Sequence, residues 1–422
     1  MMYRPDAETA SPELIRRRQL ARFEDLLREI LPANAFYAKK LGALPPAVSW
    51  EAFQRLPFTT KAELVEDQER APPLGTIATY RPERYATYHQ TSGTRGRPLA
   101  VLDTPESWDW WSECWQYVYA GAGVSARDRI FFAFSFGPFI GFWSAHAGAR
   151  RLGALTIPAG GLDTKARLAM IRTTQPTVLL STVTYALRLA EVAAAEGIVL
   201  RDLGIRKTIH AGEPGASIPA VRARVEDAWG ARCFDHAGAT EIGAYSYSCD
   251  ARQGLHVNEA EFIAEVIDRE TARPVAAGRE GELVLTNLGR AGWPVVRYRT
   301  GDLVKASPRS CSCGRTFLFL PGGLVGRIDD LMVVRGVNVY PSSIEAIVRS
   351  FEVGEFRIVR LRREAMEEIA LEIEAPESSV AALAEALQQR LGLRIDVTLA
   401  PPGSLPRFEL KASRVVDRRD PA

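Results

Sequence analysis

The stretch from Tyr88 to Val101 reads YHQTSGTRGRPLAV. Thr91, Ser92 and Thr94 supply hydroxyls, and Gly93 and Gly96 permit close or left-handed backbone. Arg95 and Arg97 carry permanent charge in a fork that matches phosphate oxygens. A loop of that make-up can grip a polyphosphate. A solvated hairpin turn uses the same Gly, Ser and Thr, so on these residues alone both readings stand. The Walker pattern, Gly then four residues then Gly-Lys-Ser/Thr, is absent. Further islands follow in order: AGEPG (211–215), DHAGATE (235–241), RYRTGDL (297–303), GRIDDLMVVRGVNVYPSSIE (326–345) and LPRFELKASR (405–414). Each alone has an ordinary explanation, such as a Gly-Asp turn or a solvated lysine. A second chemistry is offered by Cys249, His256, Cys311 and Cys313. Thiols and an imidazole in a set of four suit tetrahedral zinc, the alternative being free thiols. Cys114 and Cys233 read as packing residues.

These residues need a scaffold. The chain has 422 residues, 46% of them hydrophobic and 25% charged, with a net charge of +2. That length calls for two or three domains of ordinary soluble make-up. Without a basic excess, nucleic acid is not an expected partner. No apolar run approaches the roughly 20 residues that a bilayer span needs. The opening MMYRPDAETASPELIRRRQLARF is charged throughout and has no signal core. A cytoplasmic protein without membrane contact is the expectation, and five cysteines do not make a secreted disulfide scaffold.

Near-helical spacing of Leu14, Ile15, Leu20, Phe23, Leu26, Leu27 and Ile30 predicts an amphipathic helix over 12–42. Short apolar runs at 129–136, 177–182, 205–212 and 281–288 alternate with helical stretches such as 183–196 and 217–228. That is the pattern of an α/β architecture with sizeable sheets. Residues 327–422 read instead as strand 331–334, helix 342–350, strands 355–361 and 368–373, helix 378–391 and strand 394–399. The expected organisation is a large N-terminal α/β domain over 1–326, with several sheets and flanking helices, and a small α+β C-terminal domain over 327–422. The glycine-rich stretch GGLVGRIDD (322–330) joins them.

In order and separation, the six islands resemble the adenylate-forming superfamily of acyl-CoA synthetases, peptide-synthetase adenylation domains and luciferases. The short length, LPFTTKAEL (56–64), CSCGRT (311–316) and the LPR…KASRVVD ending are most similar to the phenylacetate-CoA ligase branch. The resemblance covers essentially the whole chain. It implies an acyl-CoA-synthetase-like fold with a mobile small domain and a two-step reaction. A carboxylate and ATP give an acyl-adenylate with loss of pyrophosphate; the small domain then rotates and the acyl group passes to a thiol, usually that of CoA. Joining a carboxylate to the α-phosphate brings two anions together, so the site must neutralise charge and hold an in-line geometry.

By this resemblance Thr91, Ser92, Gly93, Thr94, Arg95 and Gly96 hold the β- and γ-phosphates. Thr240 and Glu241 meet phosphate and Mg2+, a hard cation that suits a carboxylate. Asp302 accepts hydrogen bonds from the ribose hydroxyls, and Arg327 lies beside ribose and phosphate. Gly212, Glu213 and Pro214 run along the adenine pocket, and Asp235 joins the nucleotide set. Asp329 is the hinge. Lys411 bridges the carboxylate and the α-phosphate, its ammonium offsetting charge as the pentavalent centre forms. Two positions depart from the family pattern. Leu410 stands where a glycine is usual before the lysine, and Ala237 stands where many relatives stack a tyrosine on adenine.

The acyl group is expected between the loop FSFGPFIGFW (134–143) and the AGEPG and HAGATE islands. Phe136, Gly137, Phe139, Ile140, Ala211, His236, Gly238 and Ala239 are the candidate walls. The FGPF run serves equally as core, and His236 equally as a structural histidine. Aromatic and small residues interleaved suit a flat apolar slot. The expectation is an AMP-forming aryl-CoA ligase, monomer or homodimer, acting on benzoate, anthranilate, a hydroxybenzoate or phenylacetate. ATP, Mg2+ and CoA are its expected cofactors and co-substrates, with a structural Zn2+. Arg335, Arg360, Arg362 and Arg363 are available for the 3′-phosphate of CoA. Two rivals stand beside this reading: transfer to the phosphopantetheine arm of an acyl carrier protein, and a non-catalytic nucleotide-binding relative.

Overall fold

The computed structural model describes residues 1–42, 47–91, 97–307, 311–335, 337–363, 366–408 and 412–419. Its centre is an eight-stranded sheet. The spatial order is Phe319–Pro321, Gly254–Val257, Gly243–Tyr247, Arg232–Ala239, Lys207–His210, Val178–Ser181, Arg129–Phe132 and Leu155–Pro158. From Arg232–Ala239 onward the pairings are parallel; the other three strands are antiparallel.

Parallel strands are covered on both faces and so read as continuous apolar runs. Alternate residues sort cleanly here. Ile130, Phe132, Val178, Leu180 and Ile209 pack with the helices Pro105–Gly121 and Trp143–Leu152. Phe131, Leu179 and Cys233 pack with Val183–Ala195 and Pro219–Trp229. The helix Pro105–Gly121 is capped by the Thr104 hydroxyl, which accepts the Ser107 N–H, and is buried on all sides from Trp110 to Gly121. The amphipathic helix expected over 12–42 is broken in two, Pro12–Ile30 and Ala35–Leu41. Pro32 lacks an N–H, and the Asn34 side chain caps the second segment by accepting the Tyr37 N–H.

Two further sheets complete the large unit. The hairpin Thr87–Gln90 with Ala100–Asp103 carries the Gly-rich loop. An antiparallel sheet runs Phe262–Ile267, Glu280–Asn287, Tyr298–Lys305, Leu324–Arg327. Arg327 pairs with Asp302 in that sheet, so the chain leaves the large unit after Arg327, through the turn Ile328–Asp330.

The C-terminal unit has its own core, with Ile344, Val348, Phe356, Leu371 and Leu383 buried together. Its sheet runs Asp396–Leu399, Met366–Ile373, Phe356–Arg363, Val415–Asp417, flanked by the helices Pro341–Val348 and Ser378–Leu391. The strands Val337–Val339 and Val415–Asp417 were not anticipated from the sequence. Among the described residues, no helix is long and apolar enough to cross a membrane.

Candidate active site

The loops that leave the carboxyl ends of the parallel strands gather at one edge of the sheet, the usual ligand edge of such folds. Residues 133–143, 211–217 and 240–242 all lie there.

Thr240 and Glu241 form the turn between Arg232–Ala239 and Gly243–Tyr247. A fully buried guanidinium holds that turn. Arg290 Nη1 donates to the carbonyls of Thr240 (2.8 Å) and Glu241 (3.2 Å). Its Nε and Nη2 donate to the equally buried Asp103 carboxylate, both at 2.7 Å, and it lies over the Trp111 ring. The buried Glu241 carboxylate meets Lys61 Nζ at 3.0 Å and the Tyr298 hydroxyl at 3.5 Å.

Lys61 is the first residue of the helix Lys61–Arg70, which a Thr60–Glu63 capping box starts. Just before it, Thr59 runs alongside Tyr298: Thr59 N–H donates to the Arg297 carbonyl (3.0 Å) and Arg299 N–H to the Thr59 carbonyl (2.9 Å). Arg297 lies over the Phe58 ring and is paired twice with Glu265, at 2.8 Å each.

Asp302 is buried at the adjoining strand. Its carboxylate accepts Arg327 Nη1 at 2.8 Å and the Tyr245 hydroxyl at 3.0 Å. Arg327 also reaches the Thr300 carbonyl (3.2 Å) and lies 3.9 Å from the exposed Asp329 carboxylate. Asp235 is the last residue of its strand in the parallel pairing, and its carboxylate accepts the Ser217 hydroxyl and the His236 N–H (3.0 Å); burial pushes its carboxyl up to about 6. Gly212 adopts φ +91°, a conformation that suits glycine. The next residue, Glu213, turns its carboxylate to the Thr184 N–H (2.7 Å) and the Ala412 N–H (3.0 Å), with Pro214 following.

Thr91 closes the neck of the hairpin loop: its N–H donates to the Leu99 carbonyl (3.0 Å) and its hydroxyl accepts the Leu99 N–H (3.1 Å). Ser92, Gly93, Thr94, Arg95, Gly96 and Lys411 lie outside the described residues.

On the acyl side, the Phe136 ring packs edge-on against Trp143 at 4.6 Å and lies tilted against Phe134 at 5.6 Å. Gly137 supplies the carbonyl that accepts Trp143 Nε1 (3.0 Å). Phe139 is 41% exposed and Ile140 is buried. His236 is buried against Trp115, ring centroids 4.5 Å apart, with Nδ1 2.6 Å from the Ser246 carbonyl, so Nδ1 carries the proton. Burial lowers its imidazole to about 4. Ala211 and Ala239 are half-buried. A Cβ on Gly238 would approach the Gly243 carbonyl oxygen to 3.0 Å. Ala237 is buried in the main core rather than facing outward.

At the antiparallel end of the sheet, the ligand atoms of Cys249, His256, Cys311 and Cys313 lie within 4.8 Å of one another. Cys249 Sγ is 3.6 Å from Cys311 Sγ, and Cys313 Sγ is 3.4 Å from His256 Nε2. The sulfurs are far beyond disulfide bonding distance, and none of the three cysteines is in a disulfide.

Lys61, Arg290 and Tyr245 touch the predicted residues but were not among them. The capping box in TTKAEL is legible and puts Lys61 at a helix start. Its partner Glu241, like Arg290's partner Asp103, is distant in sequence.

An AMP-binding enzyme model matches residues 35–289, and an AMP-binding enzyme C-terminal domain model matches 336–419. A phenylacetate-coenzyme A ligase of Thermus thermophilus is 32% identical over 99% of this chain and 100% of its own length. The chain belongs to the AMP-binding enzyme family. Among solved members, 2-hydroxyisobutyryl-CoA ligase in its postadenylation state with 2-HIB-AMP superposes with a TM-score of 0.93, at 31% identity over 99% of this chain and 92% of that one. The same ligase in its thioesterification state, with 2-HIB-AMP and CoA, gives 0.75 at 32% identity over the same shares. This chain thus superposes better on that ligase's postadenylation structure than on its thioesterification structure.

Proposed function

We propose that this family member is an AMP-forming ligase that joins a small aromatic carboxylic acid to CoA through an acyl-adenylate. The observation that carries the reading is the pair of buried carboxylates at the carboxyl edge. Glu241 meets Lys61, and Asp302 meets Arg327 and Tyr245. One carboxylate suits a metal-bound polyphosphate and the other a ribose, so the two ends of Mg-ATP have complementary partners.

In the first step a carboxylate oxygen attacks the α-phosphorus and pyrophosphate leaves. In the second the CoA sulfur displaces AMP and releases its proton. Thr240 and Glu241 would hold Mg2+, which neutralises phosphate charge when bound. Lys61 adds a cation at the same place, and Thr91 to Gly96 with Arg97 form the phosphate loop. Gly212, Pro214 and Asp235 wall the nucleotide, and Lys411 offsets charge between acid and α-phosphate. Residues 1–326 and 327–422 act as two domains about Asp329.

The aromatic class follows from the relatives named phenylacetate-CoA ligase and from the aromatic lining at Phe136 and Phe139. The likeness to 2-hydroxyisobutyryl-CoA ligase favours a second reading, a small branched hydroxy acid.

The Cys249, His256, Cys311 and Cys313 set fits tetrahedral zinc in donor type and convergence. With all four positions taken by protein, zinc there would be structural. Elemental analysis of purified protein should give one zinc per chain, lost in Cys311→Ser.

The catalytic assignment is tested with Lys411→Ala. Acid-dependent ATP–pyrophosphate exchange should fall by about a hundredfold or more, while thioester formation from a supplied acyl-adenylate and CoA continues. Exchange that survives the change contradicts the assignment.

A further inference from the structure

By resemblance Glu213 runs along the adenine pocket. Its carboxylate ties together two parts of the chain. Oε1 accepts the N–H of Thr184, in the first turn of Val183–Ala195; Oε2 accepts the N–H of Ala412, in the C-terminal segment. A second contact of the same kind lies nearby. Arg407 Nε is 3.4 Å from Glu191 on that helix, while its Nη2 donates to Glu374 of its own unit at 2.6 Å. Two carboxylates of the large unit thus hold the C-terminal segment on either side of residues 408–411. Desolvation raises the half-buried Glu213 carboxyl, while the Ala412 and Thr184 N–H groups pull it down by favouring the charged form that they bind.

We infer that Glu213 is a positioning residue that latches the small unit in the orientation that makes the acyl-adenylate, and releases it for thioester formation. The inference rests on the proposed role of Lys411, the residue before Ala412. The chain superposes on the postadenylation relative at a TM-score of 0.93, against 0.75 for its thioesterification state. A bond made in only one of two arrangements biases the equilibrium towards that arrangement.

Glu213→Gln turns an NH2 towards one of the two N–H donors. In that variant kcat for ATP–pyrophosphate exchange should fall about ten- to a hundredfold, with KM for ATP within about twofold. Thioester formation from supplied acyl-adenylate should be unchanged or faster. Glu213→Asp, which keeps the charge but is a methylene short, should give the same split and guards against a folding defect in the first variant. A raised KM for ATP with kcat intact would overturn the latch in favour of nucleotide contact. Equal loss of both half-reactions in both variants would overturn it in favour of a purely structural role. Lys411→Ala serves as reference: if it abolishes exchange and the Glu213 variants leave exchange unchanged, the latch fails and the catalytic reading stands. If Lys411→Ala leaves exchange intact, that reading fails first.

Discussion

Arg290 and Asp103 show how much of the site depends on residues that touch no substrate. Both are fully buried, and each is the other's charge partner. Removing one leaves a buried charge unpaired, so Arg290→Ala should cost about 3–5 kcal/mol, read as a lower urea midpoint. The double change Arg290→Met with Asp103→Leu should recover most of that stability. It should not recover exchange activity, because the carbonyls of Thr240 and Glu241 would still lack their donor. Full activity in the double variant would contradict this role. Nothing in the sequence pairs Asp103 with Arg290. Buried salt bridges between distant segments have no local signature, whereas Asp302 and Glu241 stood out because their neighbours RYRTG and HAGAT are distinctive.

At the scale of elements, the parallel strands and the helix Ser378–Leu391 were legible because burial on two faces, or on one stripe, imposes an apolar period. The break at Leu31 was missed because apolar spacing was followed past Pro32 and Asn34, the residues that end one helix and cap the next. Helix Pro105–Gly121 went unremarked because, buried all round, it has no stripe to read.

The same burial makes the strand Lys207–His210 acid-sensitive. His210 is buried with Nε2 unpartnered, and desolvation lowers its imidazole to about 4 from an ordinary 6.5. Below pH 6.5 the unfolded chain takes up a proton that the folded one refuses, so this residue's contribution falls as pH drops towards 4. His210→Gln lacks that slope. Between pH 7 and 4 its unfolding free energy should improve relative to the parent by up to about 3 kcal/mol, measured by urea titration at each pH. Asp235, opposite His210 in register, shifts the other way, but it is present in both proteins and drops out of the difference. A difference independent of pH would contradict the neutral buried ring.

At the scale of the molecule, the two-unit organisation could be read from the change of pattern near residue 327, and the separate small core agrees with it. The relative placement of the units could not be read, because it depends on contacts such as Glu213 with Ala412 that join distant segments through backbone groups. Purified protein should be incubated with Mg-ATP, CoA and, in turn, benzoate, anthranilate, hydroxybenzoates, phenylacetate, 2-hydroxyisobutyrate and octanoate, and the products weighed by mass spectrometry. The expected product is an aryl-CoA thioester with one AMP per thioester, formed from at least one of the aromatic acids in preference to the aliphatic ones. A thioester from 2-hydroxyisobutyrate alone, or acyl-AMP with no CoA ester from any acid, would contradict it.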